Sequence, residues 1–129
     1  MTTRAVIRAL TGLALVGTVA CNRGPEGPGP LEARIVGDPL PAGAVVQVTG
    51  LGIRGFESRG DTHVYGTAAP SGTGPHRVVV IGPAAAELRF GIQVDDRRAE
   101  LPVVTLSSAV DASNRSILVG GLEVRLSRK

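Results

Sequence analysis

From Leu31 to the C-terminus of this 129-residue chain, the periodicity of apolar residues between turn-like breaks is two, and no stretch keeps the three-four spacing of an amphipathic helix. A period of two sends alternate side chains to opposite faces of an extended backbone, so the chain is constrained to build sheets. Residues 31–35 alternate Leu31, Ala33 and Ile35 with Glu32 and Arg34; residues 88–94 place Leu88, Phe90, Ile92 and Val94 on one face. Residues 122–126 repeat the pattern, with Ile117-Leu118-Val119 leading in through Gly120-Gly121. Residues 44–49 are β-branched, 62–66 form a short candidate, and 76–81 are almost continuously apolar, as for a strand buried on both faces. A further strand spans 100–106, with Pro102 placing its start at an edge or a bulge. Turn chemistry separates them at 37–43, 95–98 and 111–116, the last with room for one helical turn. The expectation is an all-β fold of about seven strands over residues 31–129, an antiparallel β-sandwich or a small barrel, with the sandwich preferred. With 18 Gly and 9 Pro, the chain is too rich in helix breakers for a helical bundle.

The first twenty residues differ in kind. Arg4 and Arg8 precede residues 9–20, twelve positions without a charge and mostly apolar. As a helix they would extend about 18 Å, short of the ~30 Å hydrocarbon core, so a secretory signal segment fits better than a spanning helix. The stretch ends in Gly17-Thr18-Val19-Ala20-Cys21. This run resembles the lipobox of bacterial lipoproteins, where small residues precede a cysteine. The resemblance covers residues 1–21 and implies cleavage after Ala20, a diacylglyceryl thioether on Cys21, and attachment to a membrane through that lipid. It departs from the family at Thr18, where Leu is usual, and Thr18-Val19-Ala20 also suits an ordinary signal peptidase. Cleavage without lipid and an uncut segment therefore stay open. Cys21 is the only cysteine, so no internal disulfide can form, and lipid attachment gives a lone exported thiol a use.

Residues 21–30 read as the lipidated cysteine followed by a Pro/Gly tether, whose nine residues after Cys21 reach at most roughly 30 Å. Asn22, standing where an Asp would mark inner-membrane retention, implies by resemblance to Gram-negative sorting rules the outer membrane. The expected location is the bacterial cell envelope, with the domain outside the cytoplasm.

Charge says little about a ligand. The formal net charge is +3, and removal of Arg4 and Arg8 leaves +1; the basic pI reflects 13 Arg against one Lys, not a basic face. Three aromatics (Phe56, Tyr65, Phe90) and no Trp argue against stacking platforms for single-stranded nucleic acid, and no nucleic-acid partner is expected. Gly50-Leu51-Gly52-Ile53-Arg54-Gly55 has the G-x-G-x-x-G spacing but no helical face after it, and reads as a Gly-rich connection. Arg59-Gly60-Asp61 is an integrin-type tripeptide that reads as a solvated loop.

Catalytic material is thin. Asp61 and His63 share a face if their strand forms, with His76, Asp95, Asp96 and Glu100 as further acid–base candidates. None has metal-ligand spacing, and no metal or other cofactor is expected. Ser71, Ser107 and Ser108 lack a nucleophile elbow or a neighbouring base. Asn114-Arg115-Ser116 is a formal glycosylation sequon without a eukaryotic route to use it, and Arg125, Arg128 and Lys129 make a basic strand end. At the level of fold the domain resembles immunoglobulin or cohesin modules. The expectation is a membrane-anchored, non-catalytic module that binds an envelope protein through loops and strand edges. A structural or assembly accessory of an envelope complex is the alternative, and a small hydrolase or metal-dependent enzyme at Asp61 and His63 the third reading.

Overall fold

A computed structural model describes residues 27–67, 74–83 and 86–128. The expected signal segment, with its expected cleavage position at Ala20, lies outside the described residues, as do Cys21 and Ser71. Among the described residues nine strands follow one another: β1 (Gly29–Gly37), β2 (Gly43–Thr49), β3 (Ile53–Ser58), β4 (His63–Thr67), β5 (His76–Ile81), β6 (Leu88–Val94), β7 (Val103–Val110), β8 (Ser116–Ile117) and β9 (Leu122–Ser127). One four-stranded sheet has the order β3-β6-β1-β9 and one five-stranded sheet the order β4-β5-β2-β7-β8, every pair antiparallel. The two sheets enclose one core, so the fold is a small β-sandwich. Among the described residues no helix is long and apolar enough to cross a membrane.

The period-two pattern explains which side chains meet. Leu31, Ala33 and Ile35 of β1 and Leu88, Phe90, Ile92 and Val94 of β6 point inward from the four-stranded sheet, each at most 5% exposed. Ala44, Val46 and Val48 of β2 and Val78 and Val80 of β5 answer from the other sheet. Full burial of one such Val, Leu, Ile or Phe stabilises by roughly 1.5–3 kcal/mol. The core is therefore built from the residues that the alternation selects.

Five local departures separate the structure from the expectation. The region read as a Gly-rich connection contains β3, and a register shift between Ile53 and Gly55 on β6 hides it. The extra residue turns both Ile53 and Phe56 inward at a spacing of three, which breaks the alternation. Residues 76–81 are not buried on both faces: His76, Val78 and Val80 are buried, Val79 is half-buried, and Arg77 and Ile81 are exposed. Residues 116–117 join β7 rather than β9, and a single 3₁₀ turn (Val119–Gly121) carries the chain to the other sheet. The strand at 100–106 begins later, after Pro102, and extends to Val110. Because β8 pairs only with Ala109 and Val110, the start of β7 is an edge, and a register shift against β2 follows between Val45 and Val46. At the N-terminal side β1 takes in Gly29 and Pro30, which pair with Val94 and Gln93.

Candidate interaction face

Each sheet of a two-layer sandwich turns its second face to water, and that face is usually polar. The four-stranded sheet obeys. Arg34 stands directly opposite Arg89 on one side and Arg125 on the other, a row of three arginines across β6, β1 and β9. Like charges opposite one another are unfavourable, and a carboxylate accompanies each: Glu87 lies 3.6 Å from Arg34, Glu32 4.0 Å from Arg89, and Glu123 accepts a hydrogen bond from Arg125. That hydrogen bond and the charge of Glu123 raise the already high pKa of Arg125. The row borders an open depression of about 450 Å³. Its charges are balanced and wet, so these pairs contribute little to stability.

The five-stranded sheet departs from the rule. Across its outer face one register row runs Tyr65, Val79, Val45, Ser108, and the neighbouring row runs His63, Ile81, Gly43, Val110. Tyr65 is 63% and Ile81 47% exposed, while Val45, Val79 and Val110 are half-buried. Small residues at Gly43 and Ser108 leave a shallow apolar hollow of about 150 Å³ between the larger side chains. It adjoins a second hollow of about 350 Å³ at the strand ends, bordered by Ala42, Gly82, Asp111 and Asn114. The Asp111 carboxylate is engaged locally, accepting the Ser113 and Arg115 backbone N–H groups at 2.9 Å each. Arg77 and His63 flank the apolar rows, and among the described residues no carboxylate projects from the strands on this face.

The acid–base candidates do not assemble. His63 is exposed near the start of β4, on the outer face, whereas His76 is fully buried at the start of β5 and meets Phe56 edge-on at 5.8 Å and 68°. Asp61 is exposed in the tight turn closed by the Thr62 N–H and the Arg59 carbonyl at 3.0 Å. Thr62, between Asp61 and His63, is buried, and its hydroxyl accepts the Arg89 N–H at 3.2 Å. Asp95 pairs with Arg54, and Asp96 accepts the Arg98 N–H at 3.0 Å, at the end of the sandwich remote from Asp61 and His63. Glu100 follows in the same connection. Ser107 and Ser108 are exposed on β7, and among the described residues no three His, Cys, Asp or Glu side chains are placed to hold a metal ion.

The other motifs resolve into turns. Gly50-Leu51-Gly52 is the β2–β3 connection, with Gly52 at φ +67°, and Arg59-Gly60-Asp61 turns β3 into β4 with Gly60 at φ +55° and Arg59 2.9 Å from Glu57. Asn114 is exposed at φ +62°. Arg125 belongs to the arginine row, while Arg128 reaches the Arg97 and Ala99 carbonyls at 2.9 and 3.3 Å. The apolar outer face was not anticipated from the sequence, although its signal is present: the runs at 44–46 and 78–81 are too apolar for a face turned to water. In comparisons with known proteins, no protein family, characterised protein or solved structure matches the chain.

Proposed function

We propose that the protein is a lipid-anchored component of a bacterial cell envelope, whose β-sandwich binds another envelope protein without catalysis. The observation that carries the binding reading is the outer face of the five-stranded sheet, where Tyr65, Val79, Val45, Ile81 and Val110 lie side by side in register. Contiguous apolar surface flanked by polar groups is characteristic of interaction sites. Arg77 and His63 beside it, with no carboxylate on these strand faces among the described residues, suit a partner that presents apolar side chains with acidic residues at their margin. Dispersal of Asp61, His63 and His76 supports a binding role over chemistry at those residues. The anchor reading rests on the resemblance of residues 1–21 to a lipobox.

The test is site-specific photocrosslinking in intact cells, with p-benzoylphenylalanine replacing Tyr65 or, on the opposite face, Glu123. Mass spectrometry of the adducts should identify one protein captured from position 65 and not from position 123. Equal capture from both positions would refute the assignment of the face. Recovery of lipid alone from position 65 would refute a protein partner.

A further inference from the structure

The two ends of the sandwich are chemically different. At one end the chain enters through Gly27 and Gly29, and the 50–52 turn, the 95–102 connection and Arg128 gather around it: the Arg97 N–H bonds the Gly27 carbonyl, and the Asp95 N–H bonds the Gly52 carbonyl, both at 2.9 Å. This end carries Arg54, Arg97, Arg98 and Arg128 against Asp95, Asp96 and Glu100. The connections at the opposite end, among the described residues, carry Asp38, Asp61, Glu87 and Asp111 against Arg59 and Arg115. The excess of charge is thus positive where the tether arrives and negative at the far end.

The same end presents apolar side chains. Leu51 is 80% exposed and Val103 65%. The turn under Leu51 is clamped: a Cβ on Gly50 would lie 3.0 Å from Pro102, and one on Gly52 3.1 Å from Asp95, at a backbone φ of +67°. Leu51 is therefore held away from the core on a tight, packed support. An apolar tip among arginines matches the boundary between headgroups and acyl chains, where guanidinium groups meet phosphate while their stems lie along apolar surface.

We infer that this end of the domain rests on an anionic phospholipid surface, with Leu51 entering the interface and the exposed Arg54 and Arg128 facing headgroup phosphates. The inference rests on the lipid-anchor reading for its geometry. The six steps from Cys21 to Gly27 span at most about 20 Å, which keeps this end close to any bilayer that holds the lipid. Attraction between arginines and an anionic leaflet falls off within a Debye length, so such proximity is what lets it act.

The chain contains no Trp, so Leu51→Trp supplies a single indole at the tether end and Leu118→Trp one at the far end, where Leu118 is 88% exposed. Each full-length variant is expressed in a bacterial host, recovered from its membranes and reconstituted in vesicles of phosphatidylethanolamine and phosphatidylglycerol. Mass spectrometry of the same sample reads acylation of Cys21, which separates failure of the anchor from failure of docking. On acylated protein, Leu51→Trp emission should shift to the blue and be quenched by brominated acyl chains, more weakly at high salt, while Leu118→Trp emission changes in neither respect. Equal behaviour of the two variants would overturn the inference. So would a blue shift of Leu51→Trp without quenching by brominated lipid, which would place a protein or a second copy on this end. If Cys21 carries no lipid, the anchor reading falls, and partition of the cleaved chain onto the same vesicles decides. There Leu51→Asp should weaken partition about tenfold, and no change would overturn docking.

Discussion

Gly66→Ala tests how the β3 edge of one sheet is locked to the β4 edge of the other. A Cβ built on Gly66 lies 2.7 Å from Phe56 Cδ2 and 3.3 Å from Cγ, against about 3.5–4.0 Å for an ordinary carbon contact. The ring would have to retreat by about 1 Å, yet its other neighbour is the fully buried His76. Overpacking of this kind costs about 1–3 kcal/mol. Replacing a strand glycine by alanine returns about 0.5–1 kcal/mol through the unfolded chain, so the net loss should be at most about 2.5 kcal/mol. At about 4–8 °C per kcal/mol for a domain of this size, the melting temperature should fall by up to about 20 °C. In a Phe56→Ala background the obstruction is gone, and Gly66→Ala should become neutral or stabilising by about 0.5 kcal/mol. Urea unfolding followed by far-ultraviolet circular dichroism on the four proteins of this cycle measures the coupling, expected at about 1–3 kcal/mol. Equal destabilisation of Gly66→Ala in both backgrounds would refute the steric account and point to the backbone instead.

Other substitutions separate the roles of the remaining groups. Cys21→Ala should abolish acylation and release the domain from the membrane fraction on cell fractionation; unchanged retention would refute the anchor. Val79→Asp should remove the adduct from position 65 in cells while lowering thermal stability by only about 1 kcal/mol or less, since Val79 faces outward and is half-buried. Asp111→Ala deprives the Ser113 and Arg115 N–H groups of their acceptor and should cost about 1–2 kcal/mol in denaturant titration. His76→Ala should cost about 2–4 kcal/mol because the side chain is fully buried against Phe56, whereas His63→Ala should change stability by less than about 0.5 kcal/mol.

Strands that keep strict alternation were legible from the sequence because each position answers one question, inside or outside. Residues 88–94 are the clearest case, and all four residues assigned to the inner face are buried. The alternation failed where geometry inserts a residue. A bulge at Ile53 and Gly55 makes Ile53 and Phe56 share a face, so β3 passed for a connection between glycines. It failed again at 76–81, where Val79 and Ile81 look like core residues but point outward. Hydrophobicity identifies a face that avoids water without saying what covers it, and that ambiguity hid the candidate interaction face. The arginine row was hidden differently. Arg34, Arg89 and Arg125 are far apart in the chain and become neighbours only through the register of β1 with β6 and β9.

Strand direction relates the two proposals. β2 runs from Gly43 at the far end to Thr49 beside the tether end, a rise of about 20 Å over six steps. The Ile81, Gly43 and Val110 row of the apolar face therefore stands at the end away from Leu51 and the entering chain, with the Tyr65 row next to it. A domain resting on lipid by its tether end would keep this face to the side of the sandwich, with its two rows about 13 and 20 Å above the level of Thr49. Lipid contact and partner binding would then use separate residues and need not compete. Leu51→Asp should consequently leave the adduct from position 65 unchanged, while Val79→Asp should leave quenching of Leu51→Trp unchanged. Loss of both signals in either variant, with the fold intact by circular dichroism, would show that one surface serves both contacts and would remove the basis for separating them.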